Sequence, residues 1–364
     1  MTIRQFDLSR QHALLQDRFA AASQRVMSSG RFVLGAELDA FEHELADYLG
    51  GGHVVGVNSG SDALRLALHL HDIRPGDEVV LPSYTFRATL EAVLHAQATP
   101  KFVDCGEDGF NCEPEQILRA LSGRTRALII VHLFGLPVVV DDIRRECRKR
   151  GVAVIEDTAQ ALGASTAHGK AGTRGDAGCF SFYPTKQLGA LGDGGAIWVA
   201  EAKQAQRLRG LRNHGEQQGR LLETGFNSRL DELQAALLRV KLAHLDAWIE
   251  ARQALAQRYR DALRGSGFLV REANRAEHCF NQFTILHPER DRLRAWLHDH
   301  GVETRVYYDH PAHLHPAIHS PPTLPVAESR ARQALALPMY PELEMTTVDR
   351  VCALIGALPA KQAA

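Results

Sequence analysis

Short apolar runs separated by longer mixed segments organise the first two-thirds of this chain. Residues 54–57, 78–81, 101–104, 128–131, 152–155, 178–182 and 196–199 each read as a strand with little or no alternation. Between them lie helical segments, one beginning near Ser61-Asp62 and another near Thr85. Continuous apolar strands alternating with helices predict a mostly parallel sheet covered on both faces, the α/β class. From Leu230 the pattern changes to one long amphipathic helix, with Leu233, Leu237, Val240 and Trp248 on a single face. Around Gly265-Ser266-Gly267 the composition shifts to polar loops, histidines and prolines, which predicts a smaller second domain. We place the large domain at 1–250, including the N-terminal segment, and the small C-terminal domain at 251–364.

Composition narrows the class of protein. A chain of 364 residues, 45% hydrophobic, is long enough for a large core, and its formal net charge of -1 suggests neither nucleic acid nor an anionic membrane as partner. Cys105, Cys112, Cys147, Cys179, Cys279 and Cys352 form no C-x-x-C pair, which argues against a zinc module or a disulfide scaffold. Arg4, Asp7 and Arg10 interrupt the N-terminus, where no apolar signal segment is visible. The longest apolar run, 127–140, is broken by His132, Gly135 and Pro137 and reads as a buried strand and its loop. A cytoplasmic protein fits these features best.

In sheets of this kind, ligands gather outside the carboxyl ends of the strands. Residues 58–62, 82–86, 157–160 and 181–186 all fall at such ends, which predicts one site. Lys186 follows an apolar strand and precedes a turn rich in glycine, Gly189, Gly192, Gly194 and Gly195, where a long surface amine has no obvious purpose. Such a lysine can form a Schiff base with an aldehyde cofactor, and pyridoxal phosphate (PLP) then needs an acid for its ring nitrogen, an aromatic face and phosphate ligands.

Each supporting residue has an ordinary use as well. Asp157 after a strand can cap a helix, or it can keep a pyridine nitrogen protonated. Ser61 and Asp62 can cap the helix they open, or present its N-terminus to a phosphate. Phe86 can be core or stacking platform, and Ser181 a plain strand residue or a ligand. Gly192-Asp193-Gly194-Gly195 precedes a strand rather than following one, which is the wrong order for a dinucleotide loop. Asp309, His310, His313 and His315 share a segment with Pro311 and Pro316 whose spacing matches no standard metal site.

Taken jointly, several motifs resemble the DegT/DnrJ/EryC1/StrS aminotransferases, PLP enzymes that act on nucleotide-linked keto sugars. They are Ser29-Gly30-Arg31-Phe32-Val33-Leu34-Gly35, Pro75-Gly76-Asp77-Glu78-Val79, Pro82-Ser83-Tyr84-Thr85-Phe86, Glu156-Asp157-Thr158-Ala159-Gln160, Ser181 through Lys186, Arg212-Asn213-His214-Gly215 and Gly225-Phe226-Asn227-Ser228-Arg229. The resemblance runs nearly end to end. It implies the aspartate aminotransferase fold (fold type I), a large domain with a mostly parallel seven-stranded sheet plus a smaller C-terminal α+β domain. By it Lys186 is the Schiff-base lysine, Asp157 the partner of the pyridine nitrogen, Phe86 the stacking aromatic and Gln160 the contact to the phenolic oxygen. Ser61, the backbone of Asp62 and Ser181 would hold the phosphate, with Asn227 contributed by the second subunit of a homodimer. A sugar 3-dehydratase branch, which carries histidine in place of Lys186, is disfavoured.

The same resemblance implies L-glutamate as amino donor and ping-pong kinetics. The stretch from Gly225 to Ala236 and the run that follows it most resemble the branch acting on dTDP-3-keto-6-deoxyhexoses. The loop 304–316 resembles that branch's substrate loop at Tyr308, Pro311, His313 and Leu314. It departs at Tyr307, where histidine is usual, and at Asp309, where proline is, and such changes in a polar site shift specificity. Tyr183, Arg212, His214, Arg229, Tyr308 and His313 are the candidate sugar or diphosphate contacts. A UDP or GDP 4-keto sugar, a cyclitol, or a non-catalytic regulatory role are the alternatives.

Overall fold

Alternation within the apolar runs decides how the sheet is covered. The computed structural model describes residues 2–269 and 277–359. Its main sheet contains β1 (His53–Val57), β2 (Glu78–Pro82), β3 (Thr99–Val103), β4 (Thr125–Val131), β5 (Ala153–Asp157), β6 (Ala177–Ser181) and β7 (Gly195–Val199). Their spatial order is β1-β7-β6-β5-β4-β2-β3. Only β7 runs antiparallel, to both β1 and β6. The other pairs are parallel.

On β4, Ala127, Ile129 and Val131 belong to the same buried core as Leu64, Leu66 and Leu68 of the helix Gly60–Leu70. Leu128 and Ile130 point the other way, against Ile143 and Cys147 of the helix Asp141–Lys149. Each such fully buried aliphatic side chain contributes about 1.5–3 kcal/mol relative to exposure. Both faces are therefore paid in apolar area, which is why the strands read as continuous runs.

The amphipathic segment after Leu230 differs from expectation. It forms two helices, Glu232–Leu242 and Leu245–Ala262, because the chain turns where the His244 amide bonds the Lys241 carbonyl at 2.9 Å. The apolar face survives the break. Leu233, Leu237, Val240 and Trp248 all meet Leu15, Phe19, Ala22 and Val26 of the helix Ser9–Ser29. Lys241 turns inward, its Nζ donating to the Gly189 carbonyl at 2.6 Å, and so ties this helix to the turn beyond Lys186.

A second core gathers β8 (Phe283–Leu286), β9 (Ala334–Leu337) and the helices Arg290–Asp299 and Met345–Gly356. The position 250/251 falls inside the helix Leu245–Ala262. Its Ile249 packs with the first unit, while Leu255, Ala256 and Tyr259 pack with the second. The chain start also joins the second unit: Ile3 bridges Val302, and Gln5 donates to the Leu337 carbonyl at 3.2 Å.

Candidate active site

β5 delivers Glu156 and Asp157, both buried, to the carboxyl edge of the sheet. No helix begins after Asp157, so the capping use does not apply; its Oδ1 accepts instead from the Ala159 amide at 3.2 Å. Its Oδ2 accepts from Thr89 Oγ1 at 2.9 Å, and Thr89 is itself bonded to Thr85 at 2.9 Å. Burial raises the Asp157 carboxyl above its ordinary value, with the Thr89 and Ala159 bonds and the nearby Lys186 charge opposing. Asp157 forms no ion pair within 4 Å among the described residues.

Glu156 faces away from Asp157 along the strand. It accepts from His132 Nε2 at 2.8 Å and from the amides of Gly172, Arg174 and Gly175, which pins the 172–175 turn to β5. These bonds hold the Glu156 carboxyl below its ordinary value against the opposing effect of burial.

Lys186 lies in the turn between Ser181, the last residue of β6, and Gly189. The turn is tight: the Lys186 amide bonds the Tyr183 carbonyl at 2.8 Å, and a Cβ on Gly189 would stand 2.2 Å from the Pro184 oxygen. The Lys186 side chain is half-buried, and desolvation lowers its ammonium to about 8, with Asp157 pulling the other way. An amine with that value still carries its proton in the majority at neutrality, but its neutral, imine-forming fraction, roughly one-tenth at pH 7, far exceeds that of a free lysine.

Around this pair stand three kinds of surface. The helix Gly60–Leu70 is capped by Ser59, whose Oγ accepts from the Asp62 amide at 3.1 Å, and not by Ser61. Ser61 is left exposed at the helix N-terminus, a ready site for a phosphate. Gly60 brings that terminus against β6, since a Cβ there would meet Ser181 Cβ at 2.7 Å. The Asp62 carboxylate is committed to Arg65 at 2.8 Å and Ser228 at 2.6 Å.

Phe86, at the start of the helix Arg87–His95, is 43% exposed and is therefore not core. Its ring centroid lies 5.8 Å from that of Tyr308. Gln160 closes the group: its Oε1 accepts from the Phe134 amide at 2.9 Å, and its Nε2 donates to Tyr308 Oη at 2.7 Å.

The remaining candidates divide. Asn227 and His214 are exposed on paired segments, joined by the Asn213–Asn227 bridge, and Arg229 donates to Asn213 Oδ1 at 2.7 Å. Tyr183 is 54% exposed beside Lys186 in sequence. Arg212 and His313 are placed otherwise than expected. Arg212 is buried, bonding Glu42 and, at 2.8 Å, the Gly56 carbonyl; His313 is buried, 2.5 Å from Ser83 Oγ and 3.5 Å from Glu328. Side chains so enclosed present no surface to a sugar, and they act by holding the segments that carry them. His310 pairs with Asp309 at the surface, and among the described residues no cluster of His, Cys, Asp and Glu is arranged for a metal.

Thr89, Tyr84 and His132 were not singled out from the sequence. Thr85 and Thr89, four residues apart at a helix start, were the one available signal for the first.

The donor set fits PLP. A buried carboxylate held only by neutral donors suits a cationic ring N–H, the exposed Phe86 face suits stacking, and the Ser61–Ser181 corner suits a phosphate. Similarity to known proteins agrees with this chemistry. Residues 14–356 match the DegT/DnrJ/EryC1/StrS aminotransferase family. The chain is 45% identical over 353 residues to a dTDP-3-amino-3,4,6-trideoxy-alpha-D-glucose transaminase of Streptomyces venezuelae, covering 95% of this chain and 93% of that one. It is 42% identical to a UDP-N-acetyl-3-dehydro-alpha-D-glucosamine 3-aminotransferase of Acidithiobacillus ferrooxidans, with 96% of each chain covered. The crystal structure of S. venezuelae DesV in complex with a ketimine intermediate superposes with a TM-score of 0.94 at 42% identity, over 99% of both chains. This chain belongs to the DegT/DnrJ/EryC1/StrS family of PLP-dependent aminotransferases.

Proposed function

We propose that this aminotransferase moves an amino group from L-glutamate to carbon 3 of a nucleotide-linked keto sugar, with a dTDP-3-keto-6-deoxyhexose as first choice. The observation that carries the reading is the pairing of a lysine lowered to about 8 with a buried carboxylate that has no cationic partner within 4 Å among the described residues. Both relatives are named for chemistry at position 3 of a nucleotide sugar, one on dTDP and one on UDP. A UDP-linked 3-keto sugar is accordingly the second reading.

Lys186 would hold the cofactor aldehyde, Asp157 its ring nitrogen, Phe86 its face, Gln160 its phenolic oxygen, and Ser61 with Ser181 its phosphate. PLP supplies an electron sink for the pair left when a proton leaves the carbon beside the amine. When not holding the cofactor, the Lys186 amine would be placed to take up the Cα proton and give it back, as general base and then acid. Asp157 would be kept ionised by a ring cation and would in turn favour the protonated ring. Across both halves the donor exchanges an amine for a keto oxygen and the sugar does the reverse, so 2-oxoglutarate leaves before the sugar reacts and the kinetics are ping-pong.

Tyr183, His214, Arg229 and Tyr308 are the exposed or half-exposed groups assigned to sugar and diphosphate, with Arg212 and His313 supporting them from within. Asn227 is assigned to the neighbouring site of a cytoplasmic homodimer. Mixing inactive Lys186→Ala and Asn227→Ala proteins would then restore one intact site per mixed dimer.

The test is the visible spectrum of PLP-incubated, desalted protein before and after L-glutamate, without sugar. A cofactor band that glutamate removes supports the donor half; an unchanged band refutes glutamate as donor. Lys186→Ala should bind PLP and lose turnover, and steady-state transamination by that variant would sink the assignment. Turnover with dTDP- against UDP-linked 3-keto sugars separates the two readings.

A further inference from the structure

Tyr84 is almost wholly buried, at 1% exposure, yet its hydroxyl is the point where two parts of the chain meet. It lies in the link between β2 and the helix that begins after Phe86, stacked on Phe110 with ring centroids 5.8 Å apart. The Tyr84 hydroxyl donates to the Tyr307 carbonyl and accepts from the Tyr308 amide at 2.8 Å. The neighbouring Ser83 repeats the pattern. Its carbonyl accepts from the Ala312 amide at 2.7 Å and its hydroxyl bonds His313 at 2.5 Å. Two consecutive residues of the large unit thus hold the 307–313 segment.

That segment puts the Tyr308 phenol between Gln160 and Phe86. The direction of the Gln160 bond is fixed from behind. Because Gln160 Oε1 takes the Phe134 amide, its Nε2 must be the donor to Tyr308, and Tyr308 Oη the acceptor. The hydroxyl hydrogen of Tyr308 is therefore left over. Burial raises the Tyr308 phenol, so it stays a neutral donor at every working pH.

We propose that Tyr84 is a positioning residue for Tyr308, and that Tyr308 gives its free hydroxyl hydrogen to an oxygen of the acceptor sugar. The proposal rests on the sugar aminotransferase reading above. An amino acid donor ends within a few atoms of the amine that reacts, whereas a nucleotide sugar is far longer, so a hydrogen-bond donor beside the exposed Phe86 would contribute chiefly to acceptor binding.

The experiment compares PLP-loaded wild type, Tyr84→Phe and Tyr308→Phe with dTDP-3-keto-6-deoxyglucose as acceptor. Tyr308→Phe should raise the acceptor KM about tenfold and leave kcat within about twofold, as loss of one neutral hydrogen bond would. The rate at which L-glutamate discharges the cofactor band should change by a much smaller factor, arising only from the lost Gln160 bond. Tyr84→Phe should move KM the same way and also speed hydrogen exchange at the Tyr308 amide about tenfold, since that amide loses its acceptor. An unchanged acceptor KM in Tyr308→Phe, or equal loss in both half-reactions, overturns the proposal. Unchanged exchange in a folded Tyr84→Phe overturns the positioning role. If wild type responds to glutamate but aminates no nucleotide sugar, the functional reading fails and the sugar contact with it, while exchange still decides whether Tyr84 fixes Tyr308. Should Tyr84→Phe not fold, the KM of Tyr308→Phe decides.

Discussion

Thr89 Oγ1 donates to Asp157 Oδ2 at 2.9 Å, joining the helix that begins after Phe86 to the last residue of β5. This bond is one of the forces that keep a buried carboxyl ionisable, because burial alone raises it. Thr89→Val removes the donor at nearly constant volume and should raise Asp157 further. A neutral Asp157 has no attraction for a ring cation, so PLP affinity should fall roughly tenfold, the weight of a hydrogen bond to a charged group. Titration of the apo protein with PLP, followed by absorbance, measures it; wild-type affinity would show that Thr89 does not tune Asp157.

Gly60 brings the helix N-terminus against β6, at the corner proposed above for the phosphate. Gly60→Ala places a methyl 2.7 Å from Ser181 Cβ, closer than side chains approach, so the helix N-terminus must move off β6. The variant should lose most of the preference for PLP over unphosphorylated pyridoxal. Equal discrimination by variant and wild type would place the phosphate elsewhere.

Lys186 gives a pH dependence with a definite sign. Its folded value, about 8, lies below the 10.5 of a free lysine. The charged form is thus disfavoured by the fold: the penalty is full below about 8 and is relieved as pH rises from there toward 10.5. Capture of PLP by the apo protein, which needs the neutral amine, should accelerate through about 8 and then level. In Asp157→Asn the opposing charge is gone and the midpoint should fall. A midpoint at the free-lysine value in wild type would contradict the desolvated setting.

Glu156 is a structural anchor beside the chemistry. Glu156→Gln sets an NH2 group against one of two donor pairs, His132 with Gly172 or Arg174 with Gly175. The expected loss is about 1–3 kcal/mol of stability for each buried donor left without its acceptor. Denaturant unfolding of the apo protein checks this, and a loss below about 1 kcal/mol would mean that the 172–175 turn is held by other contacts.

Much of this architecture was legible in the order of residues. The seven apolar runs became the seven strands, and 58–62, 82–86, 157–160 and 181–186 do lie at strand ends on one edge. The single helix expected after Leu230 did not hold, because periodicity reports which face is apolar and is silent about a turn that keeps that face in register. Arg212 and His313 were expected to meet the sugar and are enclosed instead. A polar residue in a motif carries no mark of whether it faces a ligand or a neighbouring loop.

The sequence by itself determined the α/β class, which depends on a local hydrophobic period, and through the family resemblance of its motifs the cofactor chemistry; it also brought Lys186 and Asp157 forward as candidates at strand ends. Only the tertiary structure decided that Thr89 supports Asp157 and that Tyr84 holds Tyr308 against Gln160. Those bonds join Thr89 to Asp157 across 68 positions and Tyr84 to Tyr308 across 224. A hydrogen bond is set by a few tenths of an ångström and an angle, and over such separations both are fixed by packing, which no local pattern encodes.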